Sequence, residues 1–128
     1  MSVSLHDKKV LVLEDEALLA FGLQDLLEAA GATVVGPVAR IEAALALLQT
    51  ETVDVAILDL TIHGVASYAV ADALAARGTP YLFASGYDKV SAAHAGHAAF
   101  LQKPYGEREV LAALEAVLAG EQAGSAPA

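Results

Sequence analysis

Five times along its length the chain passes from a short apolar run to a segment with helical apolar spacing, and this alternation constrains the fold more than any other feature. Strand-like runs are read at residues 9–13, 33–35, 55–59, 80–84 and 99–102. Three of them hold the cores LVL, VAIL and YLF, apolar throughout, as strands covered on both faces should be. Repeated strand-then-helix units predict one α/β domain with a parallel sheet. We expect a doubly wound, five-stranded sheet in the flavodoxin-like order 2-1-3-4-5.

The helical segments differ in quality. Leu19, Leu23, Leu26, Leu27 and Ala30 lie on one face that stops at Gly31. Ile41, Ala44, Leu45 and Leu48 mark a second helix, Val70 and Leu74 an Ala-rich third closed by Gly78, and Val110, Leu114, Val117 and Leu118 the last. Residues 87–98, YDKVSAAHAGHA, hold only Val90 as a large aliphatic and are broken by Gly96, which predicts a short or irregular fourth helix. Residues 119–128, AGEQAGSAPA, carry no core residue and are expected to be a disordered tail, leaving residues 1–118 as the domain.

Composition narrows the function classes. The hydrophobic fraction of 56% is inflated by alanine, about a fifth of the chain, and no apolar run reaches the roughly 18 residues a bilayer span needs. Residues 1–9 lack the apolar centre of a signal peptide and there are no cysteines, so a cytoplasmic location is expected. A formal charge of -9 disfavours direct nucleic-acid or membrane contact and favours proteins and cations as partners.

Ligands of open parallel sheets bind beyond the carboxyl ends of the strands, so the residues found there are the candidates. The first strand delivers Glu14 and Asp15, the third Asp59, the fourth Ser85 then Gly86, and the fifth Lys103 then Pro104. With strands about 4.8 Å apart, Asp15 and Asp59 become near neighbours. Two carboxylates about 5 Å apart repel by roughly 3 kcal/mol at an effective dielectric constant of 20. A hard divalent ion, Mg2+ before Mn2+, would offset this, with Lys103 adding one positive charge. Glu16 reads as a first-turn residue of the first helix, favoured by its dipole. His94 and His97 find no third ligand nearby and read as surface residues.

The ordered set LVLEDE, ILDLT, ASG and LQKPY resembles the receiver domain of two-component response regulators over about residues 8–118. "TPYLFASGYD" and "FLQKPY" look more narrowly like a mostly stand-alone alphaproteobacterial subgroup with a PFxFATGY-type motif. The resemblance implies a phosphoacceptor at Asp59 that takes its phosphoryl group from a sensor histidine kinase. It implies Mg2+ bound by Asp15, Asp59 and the Thr61 backbone carbonyl, with Glu14 acting through a water. Ser85 and Lys103 would contact phosphoryl oxygens, Ser85 and Phe100 would form the switch, Thr61 and Tyr87 would tune phosphoryl lifetime, and the peptide before Pro104 would be cis.

Such a domain catalyses only its own phosphorylation and dephosphorylation and is not an enzyme in the usual sense. No output domain is expected beside it, so it would act on a downstream protein or serve as a phosphate sink, with a phosphorylation-linked dimer as a further state. Two features depart from the family pattern: LTIHG after Asp59 lacks the frequent Pro, and Lys103 follows Ser85 by 18 positions, about one helical turn fewer than is common.

Three rivals are weighed. A dehalogenase-type phosphatase needs an acid two residues after its nucleophile, where this chain has Thr61. A flavin or cobalamin module fails on the acids after the first strand and on His63, four rather than two residues beyond Asp59. A phosphorylation-independent interaction module of the same fold remains the alternative.

Overall fold

β1 (Lys9–Leu13), β2 (Thr33–Val38), β3 (Val55–Asp59), β6 (Tyr81–Ser85) and β7 (Ala99–Gln102) pair in parallel as one sheet, in the order β2-β1-β3-β6-β7. β4 (Thr61–Ile62) and β5 (Val65–Ala66) form a separate antiparallel pair. With that pair set aside, the sheet has the predicted order 2-1-3-4-5. The computed structural model describes residues 4–86 and 99–120. The expectations for residues 87–98, Tyr87 among them, and for the tail beyond residue 120 lie outside those residues.

Four helices lie among the described residues: α1 (Ala17–Ala29), α2 (Ile41–Thr50), α3 (Tyr68–Ala76) and α4 (Glu107–Leu118). None is long and apolar enough to cross a membrane. Strand side chains alternate between faces. Val10, Val12, Ile57 and Leu82 therefore pack in one cluster with Leu23 and Leu27 of α1 and Val110 and Leu114 of α4. Leu11, Leu13, Leu58 and Phe83 pack in the other, with Ala44 and Leu48 of α2 and Val70 and Leu74 of α3. β3 is buried along its whole length, which is why VAILD reads as an unbroken apolar run up to its terminal acid.

The structure departs from the sequence reading in two places that shape the site. β2 runs three residues past its predicted end at Val35, through Gly36 and a cis peptide to Pro37. Its register against β1 shifts between Leu11 and Leu13, which lets the Val38 carbonyl accept the Glu14 N–H at 3.0 Å. Gly36 is required there: its φ is +95°, and a Cβ would stand 2.8 Å from the Val38 nitrogen and 3.2 Å from the Val12 oxygen.

The second departure is the β4–β5 hairpin, a segment whose conformation the sequence left open. Its two loop residues, His63 and Gly64, both have positive φ, +49° and +81°, the signature of a type I′ turn. Two smaller shifts accompany these. β6 spans Tyr81–Ser85, because Pro80 has no N–H and enters the ladder only as an acceptor to Ala56. Glu16 is the residue before α1, where its side chain makes no capping bond, and not part of the first turn.

Candidate functional site

The carboxyl ends of β1, β3, β6 and β7 meet at one edge of the sheet. β1 and β3 are direct neighbours in register, Leu13 opposite Leu58, so the residues that follow them emerge side by side. Glu14 and Asp59 are buried, and Asp15 is half-buried. Each offers one carboxylate oxygen to a group in which all such atoms lie within 4.8 Å of one another.

Lys103 reaches this cluster from β7. Its Nζ stands 3.0 Å from Glu14 Oε1 and 3.4 Å from Asp59 Oδ2. Its backbone is anchored to β6, where the Lys103 N–H donates to the Ser85 carbonyl at 2.7 Å. The Lys103–Pro104 peptide is cis, as the sequence resemblance implied. Ser85 is buried at the end of β6 and sits opposite Gln102. Thr61 and Gly86 line a cleft of about 800 Å³ together with Asp15, Asp59, Lys103 and Tyr105. Phe100 is half-buried opposite Phe83 and packs on the α2/α3 side of the sheet.

Further hydrogen bonds hold the three acids in place. Glu14 Oε2 accepts the Glu16 N–H at 3.1 Å, and Asp15 Oδ2 accepts the His63 N–H at 3.1 Å. Asp59 is held through its main chain, where its carbonyl accepts the Ser67 hydroxyl at 2.7 Å. Sequence reasoning missed His63 and Ser67. The His63 signal was present, since two residues with Gly second between β-type pairs mark a tight hairpin. Ser67 precedes a helix as a cap residue would, but its hydroxyl serves the strand carbonyl instead of a helix N–H.

Charge is out of balance among the described residues: Glu14, Asp15 and Asp59 face Lys103. Burial, and then the Glu14 carboxylate, push Asp59 up to about 7, with Lys103 pulling the other way. Asp15 loses some solvation too, but the His63 N–H and the Asp59 side chain outweigh this and hold it below the usual carboxylate range. Lys103 is likewise partly desolvated, yet its bond to Glu14 and the nearby Asp59 charge raise it above the usual lysine value. A carboxyl held near neutrality beside two other acids has a deficit of positive charge. An all-oxygen donor set this compact suits a small hard cation, whose opposite ligands stand about 4 Å apart.

Residues 10–115 match the family model described as the response regulator receiver domain. The chain is 37% identical over 116 residues to the sensory transduction protein RegX3 of Mycolicibacterium smegmatis, covering 85% of this chain and 50% of that protein. It thus spans about half the length of the curated relatives it matches. The solution structure of SdrG from Sphingomonas melonis Fr1 superposes with a TM-score of 0.76 at 38% identity, over 91% of this chain and 99% of that one. A CheY-like receiver domain protein of Methanospirillum hungatei JF-1 has a TM-score of 0.79 over 89% of this chain and 95% of its own, at 22% identity, and shares the fold.

Proposed function

This chain belongs to the response regulator receiver domain family, and from that premise we propose that it accepts a phosphoryl group on Asp59 from the phosphohistidine of a sensor histidine kinase. The observation that carries the reading is the meeting of Asp59 with Glu14, Asp15 and Lys103 at the strand ends. In the transfer an Asp59 carboxylate oxygen forms the new bond to phosphorus as the phosphorus–nitrogen bond breaks, and the departing imidazole keeps the electron pair. Charge builds on three equatorial oxygens in such a step, so positioning and cations carry most of the catalysis.

Asp15, Asp59 and the Thr61 carbonyl would hold Mg2+ directly, and Glu14, already engaged by Lys103, would act through a water. When bound, the cation supplies positive charge to the transferring group and lowers the proton affinity of Asp59. Lys103 has only to move from its carboxylate partners to a phosphoryl oxygen, and Ser85, at the end of the neighbouring strand, supplies a hydroxyl to another. Ser85 and Phe100 would then carry the change to the surface around β7, and Thr61 and Tyr87 would set how long the phosphoryl group survives. We read the chain further as a member of the PFxFATGY-type subgroup and as cytoplasmic. TPYLFASGYD supports the first, and the cysteine-free sequence supports the second. The signal would pass to a downstream protein or end in a phosphate sink.

The test is mass spectrometry after incubation with acetyl phosphate and Mg2+. The chain is expected to gain one phosphoryl group and its Asp59→Asn variant none. Equal labelling of both would move the acceptor elsewhere, and labelling of neither would favour a phosphorylation-independent interaction module.

A further inference from the structure

On the receiver reading given above, we propose that the β4–β5 hairpin is the positioning element of the cation site: its turn fixes the Asp15 carboxylate while its strand presents the Thr61 carbonyl. Three observations carry this. The His63 N–H donates to Asp15 Oδ2 at 3.1 Å, joining the hairpin tip to a side chain 48 positions earlier. The base of the hairpin is closed on the strand that ends in Asp59. There Ser67, fully buried, donates its N–H to the Leu60 carbonyl at 2.8 Å and its hydroxyl to the Asp59 carbonyl at 2.7 Å.

The third observation is the register. Ile62 faces Val65 and Thr61 faces Ala66 across a two-residue loop. In such a hairpin the pair next to the loop exchanges both of its hydrogen bonds, and the following pair turns its N–H and C=O away from the partner strand. Thr61 is in that second pair and lines the cleft, so its carbonyl is turned away from β5. One hydrogen-bonded unit therefore spans from the end of β3 to the loop after β1. Asp15 is a partly exposed side chain, and a second restraint that narrows its rotamers beforehand removes an ordering cost from ion binding.

Gly64 is where this device can be tested apart from the ligands. Its φ of +81° demands a residue tolerant of the left-handed region, while no atom lies within 4 Å of where a Cβ would stand. A side chain there strains the turn without clashing. By calorimetry, Gly64→Val is expected to bind Mg2+ about tenfold more weakly than the unaltered chain, with its circular dichroism retained. Gly64→Asn, tolerant of that φ, should recover most of the loss, and Val65→Thr, at an exposed position of the same hairpin, should bind normally.

Should Gly64→Val fail to fold, Gly64→Ala carries the same expectation at about threefold. A folded Gly64→Val or Gly64→Ala chain with undiminished affinity overturns the proposal, as does an equal loss in Val65→Thr. An unaltered chain that takes up no Mg2+ overturns the receiver reading itself, and this inference with it.

Discussion

Lys103 Nζ stands closer to Glu14 Oε1, at 3.0 Å, than to Asp59 Oδ2, at 3.4 Å. This ammonium is thus shared, and its nearer partner is the more deeply buried of the two. Burial first, and then the like charge of Glu14 that the lysine only partly offsets, push the Asp59 carboxyl up to about 7.

Glu14→Gln removes that like charge and releases Lys103 toward Asp59. Both changes favour the ionised form, so the Asp59 carboxyl should titrate lower than in the unaltered chain. Carboxylate-labelled NMR in metal-free buffer measures it, and an unmoved midpoint would show that burial alone sets the value.

Stability of the metal-free chain should fall as pH rises from about 4 to about 7. Asp59 has an ordinary value of 3.8 and a folded value of about 7, so across that window the folded state binds a proton that the unfolded state has released. The group therefore favours folding at the acid end, and its penalty is complete above about 7. Asp15, held below the usual range, acts in the opposite sense only near and below pH 4. Asp59→Asn should abolish the decline and be the more stable protein at pH 8 but not at pH 5. Urea unfolding at the two pH values decides it.

Mg2+ should bind more tightly as pH rises toward 7 and level off beyond it, because the ion and the proton compete for Asp59. At a hundredfold excess over its dissociation constant the ion should add about 2.7 kcal/mol to unfolding stability. Chelation should return the melting temperature to the metal-free value, and a thermal shift independent of pH between 5 and 7 would contradict the competition.

Ser67→Ala should cost about 1 kcal/mol, the usual net worth of a buried hydrogen bond, because the Asp59 carbonyl loses the hydroxyl 2.7 Å away. Denaturant midpoints compare the two chains.

Leu114→Ala should cost about 2–5 kcal/mol, since the side chain is fully buried on the α1/α4 side of the sheet. Leu18→Ala, at a position 88% exposed, should stay within about 0.5 kcal/mol. Thermal unfolding of the pair tests the assignment of the core.

What sequence alone determined follows from local periodicity and from chain order. Two-residue and 3.6-residue repeats are short-range, so β3, the faces of α1 and α4, and the residues at each strand's end were legible before any coordinates. Asp15, Asp59, Ser85 and Lys103 could be nominated because the parallel topology brings all carboxyl ends to one edge. Tertiary structure alone decided how those groups engage. Lys103 and Glu14 are 89 positions apart and meet only through the sheet's register. The extension of β2 to Val38 depends on a bulge against β1 that no window of β2 encodes. The His63 N–H finds Asp15 only once the hairpin has folded over the end of β1. Hydrogen bonds and ion pairs act over a few ångströms, so the contacts that tune this site exist only where distant segments have already been packed side by side.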